Sequence, residues 1–225
     1  MKKDSLIKGT LILTFAAFTA RILGVFQRVP LKHLLGDAGM ATYGIAYNIY
    51  SVLLLVATLG IPSAISKLVS EQTALGRFEN AQKIFRAAVY FSLAAGIAVT
   101  VFLWLIADVY AVRISKDAEA ALSIRALAPA LLVFPLIAIL RGYFQGRQMM
   151  TAGGLSQIVE QILRVVTAVA LAYFLLAWGF SREWAAAGAS FGGVAGSVGA
   201  LAVMLYFLGK LRRYDQQAFS AGQNA

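Results

Sequence analysis

The chain has no cysteine, one histidine, four prolines and ten acidic residues among its 225. Without cysteine, disulfides and thiolate metal sites are excluded. His33 alone makes no histidine cluster, and the acids are scattered rather than grouped around a metal position. Zinc-binding H-E-x-x-H, phosphate-cradling G-x-x-x-x-G-K and any serine–histidine arrangement within the apolar runs are all missing. A membrane enzyme would need one of these constellations or clustered acids, so no catalytic residue, metal site or cofactor is expected.

Charge is scarce as well. Only 13% of residues are charged and 60% are hydrophobic, where a soluble domain averages about 25% and about 45–50%. That excess is a membrane signature. A helix needs roughly 20 apolar residues to cross the hydrocarbon core, and the sequence offers about six such runs. They lie near Leu6–Val29, Ala41–Ile65, Ile84–Val109, Leu122–Phe144, Ala152–Trp178 and Trp184–Leu208. Helices are the expected spans because isolated strands would leave backbone groups unsatisfied in lipid. His33 falls in a predicted loop, and "KLVSEQTALGRFENAQKIFR" reads as a helix extension, a turn at Gly76 and an amphipathic helix. The expected organisation is an all-α integral membrane bundle of six transmembrane helices over residues 1–208 and a polar cytoplasmic tail over 209–225.

The net charge of +10 is distributed by topology rather than in a nucleic-acid patch. With the N-terminus inside, the inner segments carry Lys2, Lys3, Lys8, Lys67, Arg77, Lys83, Arg86, Arg141, Arg147, Lys210, Arg212 and Arg213. The outer segments carry only Arg28, Lys32, Arg113, Lys116, Arg125 and Arg182. The positive-inside rule then places both termini in the cytoplasm. The first run is longer than a signal-peptide core, and a cut after Ala20 would meet bulky Phe18 where a small residue is wanted, so it is expected to be retained.

Within the spans, polar residues stand out because one buried charge costs roughly 3 kcal/mol even on lenient scales. Thr10, Thr14, Arg21 and Arg28 fall within roughly 40° of one another on a helix of 100° per residue. Arg28 is near an interface, whereas Arg21 is either a snorkelling anchor or faces a wet internal cavity. In "LSQIVEQILRVVTAVALAY", Gln157, Glu160, Gln161, Arg164 and Thr167 share a face. Arg164 lies about 18 Å along the helix from Ala152, too deep to snorkel. Glu160 precedes it by four residues, the favourable order for a helical ion pair. The pair is either self-neutralising or lines a cavity in which Arg164 binds an anionic head group. Among the tyrosines of the second span, Tyr50 is the deep one and, with Thr58, the cavity candidate; Tyr43 and Tyr47 read as interfacial anchors.

Pro62, Pro129 and Pro135 are candidate hinges, although proline is ordinary in membrane helices. Gly188, Gly192 and Gly196, followed by Ala200, form a row at which another helix can approach closely, in this chain or another.

Several stretches together resemble the sporulation stage V protein B-like branch of the oligosaccharide flippases, related to lipid II flippases within the multidrug/oligosaccharidyl-lipid/polysaccharide (MOP) exporter superfamily. They are "ARILGVFQRVPLKHLLGDAG", "GIPSAISKLVSE", "IRALAPALLVFPL", "LRGYFQGRQMM" and "LSQIVEQILRVV", in order along the chain. The resemblance implies the N-terminal lobe of a MATE-like transporter that carries a polyprenyl-diphosphate-linked saccharide across the cytoplasmic membrane by alternating access. It also implies that Arg21, Arg28 and Arg164 face the cavity and hold the diphosphate and sugar head. "YNIY" departs from the family pattern, with Asn48 where proline is expected. Family members have about twice as many helices, so a second lobe or partner chain is implied. A non-transporting membrane scaffold or an inactive truncated fragment is the alternative reading.

Overall fold

The computed structural model describes residues 5–223. Every regular element among them is helical: α1 (Leu6–Thr58), α2 (Ile61–Ala74), α3 (Phe78–Val109) running into a π-helical turn (Tyr110–Ile114), α4 (Ala120–Leu127), α5 (Pro129–Gly146), α6 (Met150–Ala177) and α7 (Arg182–Gln223). Five stretches are long and apolar enough to cross a membrane, namely Ile7–Ala74, Phe78–Ile114, Ala120–Gly146, Met150–Ala177 and Arg182–Asp215.

The first stretch, of 68 residues, is far longer than the roughly 20 that one crossing takes. It is not straight. Gly36 adopts φ 68°, ψ −174°, a combination that a Cβ makes costly and that glycine alone adopts freely. The chain folds back there. Gln27 Nε2 donates to the Tyr43 hydroxyl at 3.1 Å across a separation of 16 residues, which a continuous helix would hold about 24 Å apart along its axis. The loop predicted around His33 is therefore absent. His33 is helical, with Nδ1 2.9 Å from the Val29 carbonyl, and one glycine makes the reversal.

A second left-handed glycine, Gly60 at φ 72°, ends α1, and Pro62 sits in the first turn of α2. Proline is tolerated there because the first helical N–H groups have no intrahelical acceptor. Pro62 thus starts a helix rather than interrupting one, and Pro129 does the same for α5, while Pro135 lies buried within that helix. The turn at Gly76 forms as expected, with φ 71°.

Small residues decide how the helices cross. A Cβ on Gly142 would lie 2.6 Å from the Pro62 carbonyl oxygen, and one on Gly146 2.7 Å from that of Ser66, so α2 rests directly on α5. The row on α7 does the same against α6. A Cβ on Gly192 would lie 2.7 Å from the Arg164 carbonyl oxygen, one on Gly196 2.7 Å from that of Glu160, and one on Gly188 2.6 Å from Leu175 Cδ1. The row's partner is therefore in this chain, and the two backbones meet along the stretch that carries the buried charges.

Three apolar clusters fill the bundle. One joins α2, α3, α5 and α7 through Val69, Phe85, Phe144 and Met204; the next joins the second arm of α1 to α3 and α4 through Ile49, Leu103 and Leu127. The third joins the first arm of α1 to α6 and α7 through Leu31, Leu35, Ala168 and Ala186. Large apolar side chains cover the exterior and polar ones lie inside: Phe15, Phe91, Trp104, Leu105 and Tyr206 are exposed, while Glu160, Gln161, Ser156, Ser190 and Ser197 are buried. Water would penalise that surface and hydrocarbon does not.

Helix α7 does not end at Leu208. It continues through the polar segment to Gln223, with Leu211 buried and Asp215 accepting two bonds from Arg147 Nη2 at 2.8 and 3.0 Å.

Candidate functional site

The first arm of α1, the second arm beyond Gly36, and α6 line an open-sided hollow of about 800 Å³. Arg21, Arg28 and Arg164 all line it, together with Gln27, Tyr43, Tyr47, Asn48 and Gln161, and no acid is among its lining residues. The helical phase read from the sequence explains two of these arginines: Arg21 and Arg28 are seven residues apart, two turns of the same stripe. Both are exposed, and neither forms an ion pair with an acid among the described residues.

Arg164 is held differently. Its Nη2 donates to Glu160 Oε1 at 2.7 Å, one turn away on α6, and side-chain exposures are 17% and 9%. The second oxygen of the same carboxylate, Oε2, accepts from Arg141 Nη2 at 2.8 Å. Arg141 comes from α5, and its Nε also donates to Ser156 Oγ at 2.9 Å. One carboxylate is therefore shared by two guanidiniums, and the cluster keeps one positive charge in excess. Arg164 Nε is buried with no hydrogen-bond partner among the described residues. A charged group so placed is costly unless an anion or water completes its shell.

A smaller hollow of about 340 Å³ lies on the same α1–α6 seam, at its Gly146–Met150 end. Arg141, Thr14, Gln145 and Gln157 line it. The expected face of α6 is thus divided between two spaces, Gln157 lining the smaller and Gln161 and Arg164 the larger, with Glu160 between them.

The tyrosines exchange positions relative to expectation. Tyr50 is 3% exposed and packs in the cluster with Leu103 and Leu127, outside the lining of either hollow. Tyr43 and Tyr47, expected as interfacial anchors, line the larger one, with ring centroids 4.7 Å apart. Folding back at Gly36 turns that face inward, which helical periodicity alone does not reveal. Thr58 spends its hydroxyl on the Leu54 carbonyl at 2.8 Å. Arg141 was legible only as a topological charge, although its place within α5, more than a turn before Gly146, is a usable signal of burial.

A MOP superfamily transporter from Pyrococcus furiosus has the same fold, with a TM-score of 0.73 at 15% identity over 89% of this chain and 44% of that one. The fold is that of about half of such a transporter, and the chain is a multi-pass membrane protein. It belongs to the polysaccharide biosynthesis protein family, which matches residues 6–221. Lipid II flippase MurJ of Bacillus subtilis is 32% identical over 216 residues, covering 92% of this chain and 40% of the relative. Stage V sporulation protein B of the same organism is 31% identical over 201 residues, covering 89% and 38%. The chain spans about 40% of the length of these curated relatives.

Proposed function

We propose that the chain is the N-terminal lobe of a flippase that moves polyprenyl-diphosphate-linked saccharide precursors across the cytoplasmic membrane. The observation that carries this reading is the placing of Arg21, Arg28 and Arg164 around one hollow that contains no acid. A diphosphate carries concentrated negative charge, and guanidinium forks match its oxygens two at a time. Glu160 holds Arg164 at the wall, while Gln27, Asn48 and Gln161 offer uncharged donors and acceptors to a sugar.

In this reading the stretch Ile7–Ala74 makes two crossings divided at Gly36, and with the four other apolar stretches gives six spans. The Gly36 end, with Lys32, Lys116 and Arg182, faces outward, and the more basic Gly146–Met150 end and both termini face the cytoplasm. A second lobe, in another segment or another chain, closes the cavity. Pro62, Pro129 and Pro135 sit at helix starts or inside α5, where backbone bonds are already absent and bending costs least.

The test is binding of a polyprenyl diphosphate by the protein in lipid nanodiscs, then translocation of a fluorescent lipid-linked saccharide in vesicles that also carry a second lobe. Arg21→Ala and Arg164→Ala are each expected to weaken binding about tenfold or more, the worth of a charge-assisted bond pair. Binding unchanged in both would remove the arginines from the site. Binding without translocation in the presence of a second lobe would favour a scaffold or inactive fragment.

A further inference from the structure

The smaller hollow has the chemistry of a binding site in its own right. Arg141 lines it with its side chain fixed on two sides, by Ser156 Oγ at 2.9 Å and Glu160 Oε2 at 2.8 Å. Thr14, Gln145 and Gln157 add neutral donors and acceptors around about 340 Å³, room for a phosphate group. No acid lines it. Among the described residues, the only carboxylate bonded to Arg141 is the one that also holds Arg164 at the larger hollow.

We propose that the hollow beside Arg141 is a second anion subsite, taking a phosphate group, and that Glu160 makes its occupancy and that of the larger hollow mutually dependent. The identity of the ligand rests on the diphosphate reading above. An anion on Arg164 competes with Glu160 for that guanidinium, and the released carboxylate then neutralises Arg141 more fully. An anion on Arg141 acts the same way on Arg164. Linkage requires the two effects to be equal, so filling one subsite weakens the other. Glu160 is a positioning residue in this scheme, acting on the ligand only through the two arginines.

The chain has no cysteine, so a single introduced thiol reports on one hollow. Gln145→Cys lines the smaller and Asn48→Cys the larger. Each variant of the chain in nanodiscs is reacted with a neutral maleimide, with inorganic pyrophosphate or farnesyl diphosphate added in series. The Gln145→Cys thiol is expected to be protected, and Arg141→Ala to raise the half-protecting concentration about tenfold or more. Arg141→Lys keeps a cation against Glu160 but loses the fork, and is expected to raise it by a smaller factor. Glu160→Gln removes the shared counter-charge and is expected to lower it at both thiols. Protection by farnesyl diphosphate alone identifies the lipid-linked group as ligand, and equal potency identifies the phosphate itself.

Absence of protection at Gln145→Cys, or protection indifferent to both Arg141 substitutions, overturns the subsite. Opposite shifts at the two thiols in Glu160→Gln overturn the shared counter-charge. Loss of protection at Asn48→Cys alone, with Gln145→Cys still protected through Arg141, overturns the larger hollow and with it the mutual dependence, and leaves the subsite beside Arg141 standing.

Discussion

Arg141 and Glu160 stand 19 residues apart in sequence, on different helices, yet Arg141 Nη2 lies 2.8 Å from Glu160 Oε2. That contact turns a local pair on α6 into a cluster spanning α5 and α6, and it leaves Glu160 with one oxygen for each of two cations.

Removing the carboxylate exposes what it compensates. Glu160→Ala leaves two half-buried guanidiniums without their acid and is expected to destabilise the bundle by about 3 kcal/mol, the lower end for a broken buried pair. Replacing all three charges together, as Arg141→Met, Glu160→Leu and Arg164→Leu, is expected to cost much less while abolishing diphosphate binding. Thermal melting in detergent alongside nanodisc binding separates the two outcomes. A triple variant less stable than Glu160→Ala would show that the cluster is needed for folding.

The seam between α6 and α7 offers a graded test. At Gly192 a Cβ would meet the backbone oxygen of Arg164, which cannot move alone, whereas at Gly188 it would meet the flexible end of Leu175. Gly192→Ala is therefore expected to cost about 1–3 kcal/mol, in the range of overpacking, and Gly188→Ala less. Because Gly192 abuts the Arg164 main chain, its substitution is also expected to weaken anion binding. Equal melting shifts for the two variants would count against this packing.

Gly36 is a conformational requirement. Any residue with a Cβ is strained at φ 68°, ψ −174°, so Gly36→Ala is expected to lower stability by about 1–3 kcal/mol. Should the reversal shift instead of straining, the bond between Gln27 and Tyr43 would be lost. Disulfide trapping between cysteines placed at 27 and 43 reads this directly in a chain free of native thiols.

At the opposite end, Arg147 is more buried than its partner, with side-chain exposures of 8% and 25% for Arg147 and Asp215. Its guanidinium also lies over Phe78, 5.0 Å from the ring centroid. Asp215→Ala, which strands the buried cation, is expected to destabilise more than Arg147→Met, which keeps the packing over Phe78. Hydrogen exchange near the end of α7 is expected to rise in both. A larger loss in Arg147→Met would reverse the assignment of which partner bears the burial cost.

What the sequence determined by itself is local or compositional. Apolar excess and run length make the chain an all-α membrane protein. Helical phase puts Arg21 and Arg28 on one stripe and brings Glu160 to Arg164, because both relations depend only on 3.6 residues per turn. Only the tertiary structure decided the rest. Gly36 compresses an expected loop into one residue and so turns Tyr43 and Tyr47 inward, while Tyr50 is taken up by the core. The glycine row meets α6 rather than another chain. Arg141 reaches Glu160 because α5 and α6 cross at that height, and the height of a crossing follows from side-chain volume at the contact, which no single helix's periodicity contains.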